Sequence, residues 1–340
     1  MLKSNLRDSA ASLMQTEAKE APIKIAQQLK LNSELVNLVA EKIREFNPYS
    51  VMFVGRGSSD HAGTFAKYLI EIELGIATFS AAPSVATIYN RQINLSQTLV
   101  LIISQSGRSP DIVAQAKRAK ASGAMCVAIL NEQDSPLSDT VDFVIPLQVG
   151  PESSVAATKS YLATLSALLQ LVASWKKDSQ LLESLGSIPS LLDVAIKSEP
   201  QLLLDDLNKE KNLVVLGRGL GYAIGKEVAL KLKEVLGIHA ECFSSAEFLH
   251  GPVTLVNRRF KVLNIIVKDE SYLTHCKQIE DINSRGAVTV DLFQQISDVH
   301  PRIAPLMILQ RFYLDIERIA IAKGINPDTP KGLKKVTETI

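Results

Sequence analysis

The sequence predicts an α/β protein of two tandem modules, each a parallel sheet with helices on both faces. Three observations carry this. Short apolar runs alternate with helical stretches, the pattern of strand–helix–strand units. One turn occurs twice, since Val51-Met-Phe-Val-Gly-Arg-Gly57 is echoed by Leu213-Val-Val-Leu-Gly-Arg-Gly219. The chain has 340 residues, more than one domain usually holds, so two units of about 150 residues are expected. Two copies are too few for a solenoid.

The elements follow in order. Residues 8–45 read as helical, with Met14, Ala18, Ala21, Ile25 and Leu29 at helical spacing and Pro22 as an interruption. Residues 50–54 form an apolar strand that opens into Gly55-Arg-Gly-Ser-Ser59, and a helix is expected over 60–74. A strand over 98–103 leads into Ser104, Gln105, Ser106 and Ser109, and a helix runs from Pro110 to about Ser122. Strands follow at 126–130 and 143–147. The stretch at 176–200, with Lys176-Lys-Asp178, Pro189 and Pro200, is read as the join. The second module restarts at Leu213, with later strands at 262–267 and 287–291. The expected layout is a helical segment at 1–45, one module at 46–190 and a second, with a C-terminal tail, at 191–340.

Composition narrows the class. Apolar residues make up 46% and charged residues 21%, which is globular rather than disordered. A formal net charge of +1 gives no field suited to nucleic acid or an anionic membrane. Cys126, Cys242 and Cys276 are widely spaced, so neither a disulfide framework nor a zinc site is suggested, and each reads as a small buried residue. No metal and no cofactor are expected. The first residues are polar with no apolar signal stretch behind them, and no run of 18 apolar residues occurs. The cytoplasm is the expected location.

The most informative stretch is residues 101–109, Leu-Ile-Ile-Ser-Gln-Ser-Gly-Arg-Ser. A strand that opens into small polar residues and then a helix start makes an anion cradle. Backbone N–H groups and the positive end of the helix favour a phosphate, and hydroxyls add donors. An ordinary polar strand-to-helix turn is the plainer alternative. No Lys lies in the cradle and the nucleotide phosphate-loop pattern is absent. The expected ligand is a phosphate monoester, such as one on a sugar. The dinucleotide fingerprint needs Gly at 60 and 222, where the chain has Asp60 and Tyr222, so the fingerprint fails in both copies and a dinucleotide site is not expected. The turn at 57–59, the cradle and the stretch after Leu147 are expected to share the rim at the carboxyl ends of the strands.

The cradle, the Gly57-Ser-Ser59 turn and the duplicated sheet resemble the sugar isomerase (SIS) domains. Downstream, Ala229-Leu-Lys-Leu-Lys-Glu234, Ile238-His-Ala-Glu241 and Glu247-Phe-Leu-His-Gly-Pro252 resemble the isomerase half of the glucosamine-6-phosphate synthases. Met14-Gln-Thr-Glu-Ala-Lys-Glu-Ala-Pro22, Ser154-Val-Ala-Ala-Thr-Lys159 and Pro330-Lys-Gly-Leu-Lys-Lys-Val-Thr337 are similar to further signatures of that family, in family order across essentially the whole chain. The resemblance implies two three-layer, flavodoxin-like SIS modules in tandem. The synthases carry an amidotransferase domain with a catalytic Cys after the initiator Met, where this chain has Leu2. That departure implies the opposite direction, ammonia release from an amino-sugar phosphate, as in SIS-type glucosamine-6-phosphate deaminases. The same layout also serves amino-sugar isomerases and deglycases. A non-catalytic phosphosugar sensor is the reading from another class.

By resemblance, Ser59, Ser104, Gln105, Ser106 and Ser109 match phosphate contacts, Ser58 a position near the sugar hydroxyls and Val155 a backbone contact. Arg56 stands where the synthases have Cys, and its role stays open between a structural Arg and a ligand contact. Glu234 matches the base that moves a proton between C1 and C2. Glu227, Lys231 and Glu234 recur at spacings of four and three, which puts them on one helix face. By spacing alone that is a solvated charged stripe; by resemblance, Lys231 stabilises charge on the reacting oxygen or nitrogen. His250 matches a ring-opening His supplied by the neighbouring subunit, which implies a homodimer with a shared site. His239 is read as structural. Lys335 matches the Schiff-base Lys of the synthases, with Lys334 and Lys331 as competitors.

Overall fold

A computed structural model describes residues 11–333 and 335; Leu2 lies outside them. The chain opens with α1 (Leu13–Leu31) and α2 (Ser33–Phe46). Ser12 caps α1 by accepting a hydrogen bond from the Gln15 N–H. Pro22 does not interrupt this helix, contrary to the sequence expectation. Proline has no N–H for the carbonyl four residues back. That carbonyl, Ala18, instead accepts from the Gln310 side-chain amide at 3.0 Å. The break falls at Asn32. In α2, Val36, Val39, Ala40 and Ile43 form the buried stripe of an amphipathic helix.

The first sheet contains β1 (Ser50–Val54), which feeds α3 (Ser58–Leu74), then β2 (Thr78–Ser80), the short α4 (Pro83–Thr87), β3 (Thr98–Ser104), α5 (Pro110–Ala121), β4 (Met125–Leu130) and β5 (Phe143–Pro146). All its pairings are parallel, in the order β2-β1-β3-β4-β5. Strand alternation divides the apolar residues between two layers. Phe53, Leu99 and Leu101 face one cluster, while Met52, Val100 and Ile102 face another with Ile112 and Ala116 of α5. Both faces are covered, which is why β3 and β4 are buried without a break.

The chain continues through α6 (Lys159–Lys176), α7 (Ser179–Leu185), α8 (Ile188–Lys197) and α9 (Leu204–Leu207). Residues 159–175 of α6 are buried on every side, so this helix sits at the centre of the molecule. The second sheet is built from β6 (Asn212–Gly217), α10 (Leu220–Leu236), β7 (His239–Ser244), the short α11 (Ser245–Phe248), β8 (Phe260–Ile266), α12 (Tyr272–Ser284) and β9 (Ala287–Phe293). Its order, β7-β6-β8-β9, repeats that of the first four neighbours of the first sheet. The chain then forms α13 (Ala304–Ala322). One apolar cluster runs through both modules, joining Leu101 and Val215 by way of α6 and α13.

Two edge strands, β2 and β7, were not expected from the sequence. The first is only three residues long, and the second carries His239 and Glu241 exposed on its outer side. Cys126 is buried in β4, and burial pushes its thiol up to about 12. Cys242 and Cys276 are half-buried rather than buried. Among the described residues no helix is long and apolar enough to cross a membrane.

Candidate active site

The topological switch point of the first sheet lies between β1 and β3, where crossovers leave to opposite sides and a crevice opens beyond the carboxyl ends. A cavity of about 630 Å³ occupies that place, a volume suited to a small ligand. Its cradle side is Ser58, Ser59, Ser104, Gln105, Ser106 and Ser109; Val155, Lys231, Glu234 and Lys335 also line it. The cavity thus brings together every residue the sequence named for phosphate and sugar contact, and three of the four named for catalysis. His250 is the exception, exposed in the turn after α11 and outside these walls.

Local chemistry shapes the cradle. The Ser104 hydroxyl accepts from the Gly107 N–H at 3.1 Å, which closes the turn after β3. Gly107 has φ +63°, and a Cβ there would lie 2.3 Å from the Ser135 Oγ, so only glycine fits. Ser109 caps α5 in extended conformation, with Pro110 at the first helical position. Gly57, at φ 54° and ψ −127°, launches α3 so that Ser58 and Ser59 stand on the rim.

The other side is an ionic cluster shared by α3 and α10, which pack against each other across the modules. Lys231 Nζ lies 3.1 Å from Glu227 Oε1 and 2.6 Å from Glu234 Oε2, and donates to Ser58 Oγ at 3.2 Å. Ser58 in turn donates to Glu227 at 3.0 Å, and His61 Nδ1 meets the other Glu227 oxygen at 3.0 Å. Side-chain exposure is 0% for Glu227, 1% for Lys231 and 18% for Glu234. The stripe that spacing alone makes a solvated salt bridge is therefore buried. Burial opposes both charges, but the neighbours outweigh it: Glu227 is held below the usual carboxylate range by Lys231 and His61, and Lys231 above the usual ammonium range by its two carboxylates. Glu234 alone of the three combines an anchored carboxylate with a place on the cavity wall beside Lys231.

Three supporting residues were not read from the sequence. Glu152 is buried against the cavity and accepts from Thr158 N, Ser160 N and Ser160 Oγ. Lys335 donates to it at 3.2 Å and to the Ser154 carbonyl at 2.6 Å, so Lys335 is held on the cavity wall. Burial raises the Glu152 carboxyl, but Lys335 and these hydrogen bonds overcome it and the net direction is downward. Glu17 of α1 accepts from the Ser153 and Ser154 N–H groups, and Val155 N–H donates to the Asp328 carbonyl. The third is His61. Its position two residues beyond Ser59 was visible, but its partner lies 166 residues away. Among the competing lysines, Lys331 is exposed and lines a different depression, and Lys334 lies outside the described residues. His239 is exposed on the edge strand, and its backbone N–H donates to the Lys211 carbonyl at 2.9 Å. Among the described residues no group of His, Cys, Asp and Glu is arranged to hold a metal.

The SIS-domain model matches residues 46–174 and 206–290. The chain belongs to the SIS family. It is homologous to the isomerase half of isomerizing glutamine–fructose-6-phosphate aminotransferases. The Sulfurisphaera tokodaii enzyme of that name is 31% identical over 320 residues, which span 89% of this chain and 52% of that protein. The chain therefore covers about half the length of the curated relatives it matches. Among solved structures, a provisionally named phosphosugar isomerase from Silicibacter pomeroyi shares 35% identity, with a TM-score of 0.86 over 94% of this chain and all (100%) of that one. The C-terminal domain of glucosamine-fructose-6-phosphate aminotransferase from Francisella tularensis shares 25% identity, with a TM-score of 0.81 over 95% and 99%. Glucosamine-6-phosphate deaminase from Thermotoga maritima shares the fold, at 21% identity and a TM-score of 0.75 over 96% of this chain and 100% of that one.

Proposed function

We propose that the SIS-family chain is a phosphosugar isomerase that acts as a glucosamine-6-phosphate deaminase, converting glucosamine 6-phosphate to fructose 6-phosphate and ammonia. One observation carries the reading. A hydroxyl-lined cradle and a carboxylate anchored by a buried lysine, Glu234 on Lys231, line the same cavity. The cradle takes the phosphate and holds the open-chain sugar with C1 and C2 toward α10. Glu234 removes the C2 proton and returns a proton at C1, so the aminoaldose becomes a C2 ketimine. Lys231 stabilises the negative charge that develops between. Water adds to the C2=N bond, the C–N bond breaks, and ammonia leaves with fructose 6-phosphate. Lys335 closes the site from the tail. His250 opens the sugar ring in the cavity of a second copy of the chain.

Ammonia release and ketose formation from glucosamine 6-phosphate test this directly. Glu234→Gln is expected to fold and to lose at least about 10²-fold in turnover, the scale of a general base, with a smaller effect on KM. Turnover at the wild-type level in Glu234→Gln removes that residue as the base. No ammonia from the wild-type chain removes the deaminase reading.

A further inference from the structure

The duplicated turn supplies an internal comparison. Gly219 has φ 53° and ψ −124°, the conformation of Gly57. In both modules the next strand and helix are joined by loops of matching length, 105–109 between β3 and α5 and 267–271 between β8 and α12. Ser271 and Ser109 both occupy the N-cap position, of α12 and α5 respectively, the first in helical and the second in extended conformation. This register places Arg218 opposite Arg56 and Asp269 opposite Gly107. The Asp269 carboxylate accepts from the Ser271 N–H at 2.9 Å and from the Ser271 hydroxyl at 2.6 Å. A Cβ on Gly219 would lie 3.4 Å from Asp269 Oδ2. Arg218 lines the same depression as Asp269 and Ser271. In the second module, then, a carboxylate of the chain itself lies beside Gly219 of the turn, while Arg218 donates to the Ser244 hydroxyl at 3.2 Å. In the first module the position of that carboxylate is held by a glycine, within a cradle of hydroxyls open to the cavity.

Arg56 is prepared for such an anion. Its Nε and Nη2 donate to Asp111 Oδ2 at 3.0 and 2.8 Å. Asp111 is on the first turn of α5, with a side-chain exposure of 0%, whereas the Arg56 side chain is 52% exposed and lines the cavity beside Ser106 and Ser109. A guanidinium can be gripped along one edge and still offer donors on another, which an ammonium cannot do in a fixed plane. The two lysines of the cavity are differently engaged: Lys231 serves Glu227, Glu234 and Ser58, and Lys335 serves Glu152 and Ser154.

We propose that Arg56, held in place by Asp111, binds the phosphate of the substrate as the charged member of the 104–109 cradle. This takes the ligand-contact side of the role that the sequence left open for Arg56, and it rests on the phosphosugar reading of the cavity. The probe is inorganic phosphate, titrated calorimetrically into the intact chain. Arg56→Ala is expected to weaken binding by roughly 10- to 100-fold, the worth of a charge-assisted hydrogen bond. It should also flatten the salt dependence of the affinity. Arg56→Lys keeps the charge but not the fork and is expected to fall between. Arg218→Ala, the matched change in the second module, should bind phosphate as the wild type does. Circular dichroism checks that each variant folds. Wild-type affinity in folded Arg56→Ala overturns the proposal, and so does equal weakening by Arg56→Ala and Arg218→Ala. A wild-type chain that binds no phosphate overturns both this proposal and the cradle reading beneath it. Phosphate bound equally by wild type and Arg56→Ala overturns this one alone.

Discussion

Lys231→Met separates what the buried cluster does for folding from what it does for chemistry. Methionine fills the volume of the lysine stem without its charge. The substitution leaves Glu227, with no exposed side-chain surface, holding Ser58 and His61 among the described residues, and it frees Glu234 from its 2.6 Å partner. A pair at 3.1 Å, the Lys231–Glu227 distance, interacts by about 5 kcal/mol at an effective dielectric of about 20. Removing one partner of a buried pair costs about 3–5 kcal/mol, because the other charge stays behind uncompensated. Against a total stability of about 5–15 kcal/mol, that is a large loss, and the urea midpoint should fall sharply. Glu227→Gln added to Lys231→Met removes the stranded charge and keeps an acceptor for Ser58. The double variant should recover more than half of the lost stability while ammonia release stays abolished, since neither the cation nor the anchored Glu234 is restored. Lys231→Met with a wild-type midpoint would refute the argument. So would a double variant as unstable as the two single losses combined.

Two further outcomes follow from the geometry. If His250 serves a second copy, mixing inactive Glu234→Gln and His250→Ala chains should restore ammonia release, because one of the hybrid sites carries both wild-type groups; no recovery after demonstrated subunit exchange counts against a shared site. The second concerns acid. Hydrogen bonds from Arg302 lower the Glu270 carboxyl from 4.5 to about 2, and Glu73, which burial alone would raise, is also lowered by Lys176 and Arg302. Below the unfolded value, unfolded carboxylates bind more protons than folded ones. The stabilisation is therefore complete above about 4.5 and is lost as pH falls toward about 2. Denaturation midpoints followed across that window should drop, and Glu270→Gln should shallow the slope; an unchanged slope would show that this ion pair is not linked to folding.

The buried strands and the two Gly-Arg-Gly turns, though not the edge strands β2 and β7, were legible because their causes are local. A buried parallel strand needs an unbroken apolar run, and a turn at positive φ beside a helix start needs glycine. The cradle was legible for the same reason, since its donors lie within six residues of chain, 104–109. Where a feature depends on a distant partner, the sequence was silent or misleading. Pro22 reads as a helix break until Gln310 is seen satisfying the Ala18 carbonyl. Glu17 looks like any helix surface residue until the 153–154 backbone arrives to be held by it.

The charged stripe of α10 shows the limit most sharply. Spacings of four and three are what a surface salt bridge and a catalytic cluster have in common, so periodicity cannot separate them. Burial separates them, and burial of Glu227 comes from α3, whose Ser58 and His61 lie 169 and 166 residues away in the chain. Each helix is ordinary alone: α3 brings a hydroxyl and an imidazole, α10 a lysine between two carboxylates. The proposed chemistry arises where the two modules meet. On this view the duplicated sheet does more than repeat a scaffold. The first module contributes the cradle proposed to orient the ligand, and the second contributes the carboxylate proposed as the base. Neither could form the proposed site without the other.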